Sequence, residues 1–230
     1  MTNLKKSIFT NPVWHALQTK HKHFAMTVGD ACRYPSDVAP FAAVGAPTRA
    51  ALQQLASLIV HGEHLWLFDD NFPPAPEIDW LETLQCLQMV LPSEVNPPDP
   101  SIELTPLRAA DGADMVALTT LAFPGFFRNR TYRMGSYLGL RDQGDLIAMG
   151  GERIMLDGYP EISGVCTHPD HRGHGYAAAI IWQLVRDHRR KGETSWLHVA
   201  SSNRNAIELY KRLGFETLQT VTLHRISCKS

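Results

Sequence analysis

The pattern of apolar and polar residues is most regular in the C-terminal half of the chain. Residues 162–167 are short, β-branched and apolar, as in a strand, and the His-Pro-Asp that follows ends it because proline cannot continue a strand ladder. From Tyr176 onward, apolar residues recur at steps of three and four, the spacing of one helix face. This face contains Ala178, Ile181, Trp182 and Val185. The pattern predicts a strand, a turn containing Gly173 and Gly175, and a helix that ends at Gly192.

A strand, a glycine turn and a helix in this order are suited to binding a phosphate. The N–H groups of the first helical turn lack backbone partners and lie at the positive end of the helix dipole. Gly173 and Gly175 carry no side chain that would hold a phosphate away from the backbone, and Arg172 adds a cation. The turn therefore predicts a phosphate or pyrophosphate ligand, although an ordinary glycine-containing turn between a strand and a helix would show the same two glycines.

A proline-rich segment divides the chain. Residues 91–100 contain four prolines and no periodic apolar pattern, which is typical of a linker. We therefore predict an N-terminal α/β region at 1–91, a linker at 92–100 and a second domain at 101–230. In the second domain the patterns predict strands at 102–108, 146–155, 195–200 and 217–226, and helices at 111–122 and 205–213. In the first region they predict a loop at 29–45, a helix at 47–60, a strand at 65–68 and a strand or short helix at 84–91.

Two motifs resemble those of the GCN5-related N-acetyltransferases, the GNAT superfamily. Residues 172–177, Arg-Gly-His-Gly-Tyr-Ala, are similar to the Arg/Gln-x-x-Gly-x-Gly/Ala signature, and the strand before them resembles the FR47-like branch. Residues 203–215 resemble the Asn-x-x-Ala-x-x-Leu-Tyr-x-x-x-Gly-Phe element. The resemblance implies an α/β (α+β) GNAT fold, a mixed central sheet flanked by helices, with a whole GNAT domain after residue 101. The smaller N-terminal α/β region is then open to interpretation as a degenerate GNAT-like half.

The same resemblance implies an acetyl-CoA-dependent N-acyltransferase, which transfers acetyl directly from CoA to a primary amine of a small molecule or peptide. The alternative is a non-catalytic acyl-CoA-binding module. In the family, backbone groups of the fourth strand pair with pantetheine and the glycine turn binds the pyrophosphate. The cofactor-binding residues implied here are Val165, Cys166, Thr167, Arg172, Gly173, His174, Gly175, Tyr176, Ala177 and Asn205. Asn205 is also open to interpretation as a helix N-cap.

The resemblance also implies two catalytic residues. Tyr210 matches the tyrosine that protonates the departing thiolate in many members, and the alternative is a packing role under pantetheine. Glu161 lies four residues before Val165, the register of the catalytic glutamate in the histone-acetylating branch. It is therefore a candidate general base, with Glu152 on the neighbouring strand as the other candidate. The alternative for Glu161 is a glutamate that faces solvent at the edge of the strand and has no catalytic role.

Composition narrows the remaining possibilities. A formal net charge of -1 and the lack of a long apolar run favour neither nucleic acid nor a membrane as partner, and a homodimer stays open. Four widely separated cysteines indicate reduced thiols and a cytoplasmic protein. Cys166 and His168 are a rival acyl-transfer pair, but an apolar strand favours a structural thiol. The histidines at 168, 171 and 174 straddle a proline and the glycine turn, so we expect solvent-facing side chains and no metal.

Overall fold

A single mixed sheet of eleven strands forms the centre of the computed structural model, which describes residues 8–68, 71–100 and 102–229. The strands are β1 (Met26–Val28), β2 (Ala31–Arg33), β3 (Phe41–Val44), β4 (Leu65–Phe68), β5 (Ile78–Val90), β6 (Thr105–Leu107), β7 (Tyr137–Asp142), β8 (Asp145–Leu156), β9 (Tyr159–Thr167), β10 (Trp196–Ala200) and β11 (Glu216–Cys228). The α-helices include α1 (Pro12–Gln18), α2 (Arg49–Ala56), α3 (Gly112–Ala122), α4 (Tyr176–Arg190) and α5 (Arg204–Arg212).

Strand β5 joins the two halves of the chain into this one sheet. The strand order is β1-β2-β3-β4-β11-β5-β10-β9-β8-β7-β6, so β5 lies between two strands of the C-terminal half. It is antiparallel to both, and it pairs with β11 from Ile78 to Val90 and with β10 from Cys86 to Val90. The segment after residue 101 therefore does not supply every strand of its own sheet, which corrects the expectation of a self-contained GNAT domain there. The domain boundaries themselves stay a prediction.

The sequence predicted the C-terminal elements well and some N-terminal ones poorly. Residues 29–45, predicted as a loop, contain β2 and β3, which have three and four residues. Strands this short carry little periodic signal, and they form because each pairs with a neighbour in the sheet. The apolar segment at 84–91 is the C-terminal part of the longer β5.

The N-terminal half is fastened to the C-terminal half by buried aromatic and polar contacts. The Phe9 ring packs edge-to-face against Tyr159 and Trp196, with ring centroids 5.2 and 5.1 Å apart. His21 bridges the halves, with Nδ1 2.8 Å from the Tyr34 hydroxyl and Nε2 2.9 Å from the Met134 carbonyl oxygen. Because a carbonyl only accepts, His21 Nε2 carries the proton and Nδ1 accepts from the tyrosine.

We expect this bridge to make the fold acid-sensitive. Burial lowers the pKa of His21 from 6.5 to about 4, so the unfolded chain takes up a proton at a higher pH than the folded one. The free energy of unfolding that depends on neutral His21 is therefore fully present above pH 6.5. It falls by on the order of 3 kcal/mol as the pH decreases towards 4. Urea unfolding at several pH values measures this loss. A His21→Gln variant should lose less stability over the same interval, and an equal loss in both proteins would contradict the assignment.

Candidate active site

A cavity of about 760 Å³ opens where strands β9 and β10 diverge. The two strands run parallel, and Glu161 with Trp196 is the one register pair between them among the described residues. Beyond that pair, β9 continues along β8 and β10 along β5. The cavity is lined by residues 162–167 of β9 and 198–200 of β10, so it occupies the gap. His198 and Val199 are neighbours in a strand and face opposite sides, so the cavity reaches both faces of the sheet.

The predicted glycine turn forms one end of this cavity. Gly173 has φ +87° and Gly175 φ +79°, a left-handed conformation that favours glycine, and Gly175 is the N-cap of the 15-residue helix α4. A Cβ at either glycine would meet no heavy atom within 4 Å, so both glycines face open space. Residues 171–178 line the cavity at this end. A helix N-terminus beside open space fits a pyrophosphate.

Two side chains of the turn are fixed by local contacts. Arg172 Nε is 3.4 Å from the Thr167 carbonyl oxygen, which places the guanidinium at the end of β9. The His174 ring stacks on Tyr176, with ring centroids 5.5 Å apart. Among the described residues there is no group of three histidine, cysteine, aspartate or glutamate side chains placed to hold a metal ion. No described helix has the length and apolarity that crossing a membrane requires.

A β-bulge in β9 lies in the wall of the cavity. Ser163 pairs with Gly151 and Cys166 with Met149, so β9 contains one residue more than β8 between these pairs. Gly164 lies in this bulge with φ +66°. The bulge leaves Gly164 and Val165 without a register partner on β8, and both residues line the cavity. Val165, Cys166 and Thr167 are all in the wall.

The thiol of Cys166 is unsuited to acyl transfer. The side chain is buried, and burial raises the pKa of the thiol to about 12. The thiolate is the nucleophilic form, and it is scarce at neutral pH when the pKa is this high. The geometry therefore favours the structural role of Cys166 over the rival cysteine chemistry.

Helix α5 supplies the opposite wall. Tyr210 lines the cavity, and burial together with the negative charge of Glu161 raises the pKa of its phenol to about 12. The phenol is therefore protonated at neutral pH and is able to donate. Asn205 also lines the cavity, but the N-cap of α5 is Asn203, whose side-chain oxygen accepts from the Ala206 N–H at 3.2 Å. The N-cap interpretation therefore applies to Asn203 and not to Asn205.

Comparison with known proteins matches this geometry to a family. The model of the FR47-like protein family matches residues 137–223. The ribosomal protein bS18-alanine N-acetyltransferase of Escherichia coli K12 is 31% identical over 119 residues, which are 50% of this chain and 78% of the relative. A crystal structure from Novosphingobium aromaticivorans, assigned to the GNAT family of acetyltransferases, is 31% identical with a TM-score of 0.87 and covers 96% of this chain and 99% of that one.

The chain belongs to the GNAT family of acetyltransferases. Within it, the FR47-like match confirms the branch predicted from the strand that precedes the glycine turn. A GCN5-related N-acetyltransferase from Kribbella flavida shares the fold, with a TM-score of 0.62 at 16% identity. The predicted GNAT fold, a mixed sheet flanked by helices, is confirmed.

In this GNAT acetyltransferase, Glu161 is completely enclosed by hydrogen-bond donors. The carboxylate is 0% exposed. Oε1 accepts from Arg153 Nη2 at 2.7 Å and lies 2.7 Å from His198 Nδ1, and Oε2 accepts from Arg153 Nε at 3.1 Å and the Ile154 N–H at 3.0 Å. Burial alone would raise the pKa of Glu161, but the charge of Arg153 and these hydrogen bonds lower it to about 2. Glu161 is absent from the residues that line the cavity.

Glu152, the other candidate base, contacts helix α4 and not the cavity. Glu152 is buried with its Oε1 2.9 Å from His188 Nε2 on helix α4, and its Oε2 accepts from the Ser136 N–H at 2.7 Å. Burial would raise the pKa of Glu152, but these hydrogen bonds outweigh burial and lower it. It does not line the cavity, and its contact with His188 links α4 to the sheet.

His198 links the Glu161 carboxylate to the cavity. Gln88 uses its carbonyl oxygen to accept from Gln219, so its amide nitrogen is the group that lies 2.9 Å from His198 Nε2. His198 Nε2 is therefore the acceptor, and Nδ1 donates its proton to Glu161. Sequence analysis missed His198 and Arg153, although a histidine or arginine within an otherwise apolar strand is an available signal of a buried polar site.

Proposed function

We propose that this GNAT acetyltransferase transfers acetyl from acetyl-CoA to a primary amine of a small molecule or peptide. The observation that carries the proposal is the single cavity that extends from the glycine turn through the gap between β9 and β10. The name of the E. coli relative, an alanine N-acetyltransferase, supports an amine as acceptor. Acetyl-CoA would supply the thioester that is transferred, and the glycine turn fits its pyrophosphate.

Each wall of the cavity has a role in this proposal. The N–H groups at the start of α4 bind the pyrophosphate, with Arg172 beside them. The backbone of Val165, Cys166 and Thr167 pairs with the pantetheine arm as an added strand would. The Val165 N–H stabilises the negative charge that develops on the carbonyl oxygen, and Asn205 contacts the arm.

The proton balance of the reaction needs one acid and a neutral amine. A C–N bond forms as the C–S bond breaks, the amine loses one proton and the sulfur gains one. Tyr210 gives its proton to the leaving sulfur, and the proton of the amine restores the phenol directly or through water. A pKa of about 2 makes Glu161 a poor direct base, so we assign it a positioning role through His198 and Arg153.

Release of free thiol from acetyl-CoA in the presence of primary amines tests the proposal. We expect thiol release that requires both the protein and the amine, with one acetylated amine formed per thiol. Binding of acetyl-CoA without thiol release from any amine would favour the non-catalytic acyl-CoA-binding module instead.

We expect Tyr210→Phe to lower kcat by about 100-fold and to change the KM for acetyl-CoA little, because the substitution removes a proton donor and keeps the ring. Tyr176→Phe is the matched control. Tyr176 also lines the cavity, but its ring stacks on His174. We therefore expect Tyr176→Phe to leave kcat unchanged. A rise in KM with unchanged kcat in Tyr210→Phe would make Tyr210 a packing residue.

A further inference from the structure

The end of the cavity away from the glycine turn is an aromatic chamber. Its apolar side chains are Phe41, Phe68, Leu84, Phe126 and Leu223. Phe41 and Phe68 belong to strands β3 and β4 of the N-terminal half, and Phe126 follows helix α3. The N-terminal half therefore builds part of the space into which the acceptor amine must fit, and that space favours an apolar group.

Stacked rings support one wall of the chamber. Phe126 stacks on Trp66 with ring centroids 5.4 Å apart, and on Phe41 at 6.1 Å. The segment that carries Phe126 is also tied to the N-terminal half further along. Arg130 Nη1 donates to an Asp37 carboxylate oxygen at 2.9 Å, and the Thr131 hydroxyl donates to the Val38 carbonyl oxygen at 2.6 Å. These contacts hold the segment after α3 against the N-terminal half beside the chamber.

Arg153 is the cation at this end of the cavity. A bulge places Arg153 and Ile154 opposite the single residue Glu161, because β8 has one residue more than β9 between neighbouring pairs. The Arg153 side chain is 13% exposed, and its guanidinium carbon lies 4.9 Å from the centroid of the Phe41 ring. Its Nε and Nη2 bind Glu161, whereas Nη1 donates to no described residue. One face of a preorganised guanidinium is thus available inside an aromatic chamber.

The charged side chains among the described residues that line the cavity are all arginines, apart from its histidines. Arg153, Arg172 and Arg212 line it, and none of its described lining residues is aspartate or glutamate. These lining residues provide no carboxylate to pair with the additional positive charges of a polyamine or a lysine-rich peptide. They are complementary to an acceptor that carries an anionic group.

From these observations, and on the basis of the proposed function, we propose that the acceptor is a small amine that carries a carboxylate and a large apolar side chain, the chemistry of a free aromatic or aliphatic amino acid. Arg153 Nη1 binds the carboxylate, and the rings of Phe41, Phe68 and Phe126 pack around the side chain. The amine then lies toward the gap between β9 and β10, where it attacks the thioester carbonyl carbon with the proton balance given above.

Acceptors that differ in one group test the carboxylate directly. We would measure kcat/KM for L-phenylalanine, L-phenylalaninamide, 2-phenylethylamine, spermidine and a peptide that begins with alanine. We expect L-phenylalanine to exceed the amide and 2-phenylethylamine, which share its ring and amine, by about 10- to 100-fold, because a hydrogen-bonded charge pair is lost in both. L-Leucine should likewise exceed its amide.

Variants of Arg153 test whether this residue causes the preference for an acceptor with a carboxylate. The double variant Arg153→Gln with Glu161→Gln removes both charges together and so avoids leaving a buried charge unpaired. We expect the ratio of kcat/KM for L-phenylalanine over its amide to fall to about 1 in this protein. Arg172→Gln is the matched control, since it removes a cation at the glycine-turn end. It should raise the KM for acetyl-CoA and leave the acceptor ratio unchanged.

The outcomes separate the two proposals. Equal or faster acetylation of the amide, spermidine or the peptide in the native protein would overturn the acceptor assignment and leave N-acetyl transfer intact. A double variant that keeps the preference for the carboxylate would overturn the role of Arg153. Acetyl-CoA binding with no thiol release from any of these amines would overturn both the acceptor assignment and the proposed function.

Discussion

Replacing Gly175 with tryptophan is expected to weaken acetyl-CoA binding by at least about 100-fold. Gly175 is the N-cap of α4, and a Cβ there would stand in the open space of the cavity mouth. An indole in that space would cover the N–H groups proposed to bind the pyrophosphate, and each tenfold loss corresponds to about 1.4 kcal/mol. Isothermal titration calorimetry measures the change in Kd.

The same helix offers a matched control for this substitution. Gly192 follows the other end of α4, has φ +74° against +79° at Gly175, and also faces open space. Tryptophan at either position therefore carries a similar backbone strain and exposes a similar apolar ring. Gly192→Trp should bind acetyl-CoA with unchanged Kd. Equal affinities in the two variants would show that the coenzyme does not use the turn.

Residues 101–230 expressed alone are expected not to fold. Without β5, strands β10 and β11 both lose their antiparallel partner in the middle of the sheet. Their backbone N–H and carbonyl groups would be left unpaired, and the clusters that contain Met89 and Cys86 would be open to solvent. We expect no cooperative thermal transition by circular dichroism, whereas the full chain should show one.

Adding back the missing half separates this effect from general instability of fragments. Residues 1–100 co-expressed with 101–230 should restore a soluble pair that unfolds cooperatively, because the fragments together contain every strand of the sheet. A stable, cooperative 101–230 fragment that binds acetyl-CoA would instead show that the C-terminal half is self-sufficient.

Sequence reasoning succeeded where local pattern determines structure. The helix predicted from Tyr176 begins at that residue and ends at Arg190, just before Gly192. Its apolar spacing, its glycine turn and its basic end are all local signals, so they are readable without knowledge of the rest of the fold. The predicted strand at 65–68 matches β4 for the same reason.

What the sequence could not give depends on distant pairing. The apolar C-terminal part of β5 predicts a strand, but its sequence does not predict that β10 and β11 are its neighbours in the sheet. The environment of Glu161 is equally nonlocal, because Arg153 and His198 come from two different strands. The position of Glu161 four residues before Val165 predicted a general base near the reacting groups. In the structure, both of its carboxylate oxygens accept hydrogen bonds from protein groups. The roles of these site residues therefore stay proposals.

A structure of the protein in complex with acetyl-CoA is the most direct measurement. We expect the pyrophosphate within about 3.2 Å of N–H groups at the start of α4, and the thioester in the gap between β9 and β10, with its sulfur near the Tyr210 hydroxyl. A coenzyme bound against the N-terminal half, with the glycine turn uncontacted, would contradict the proposed site.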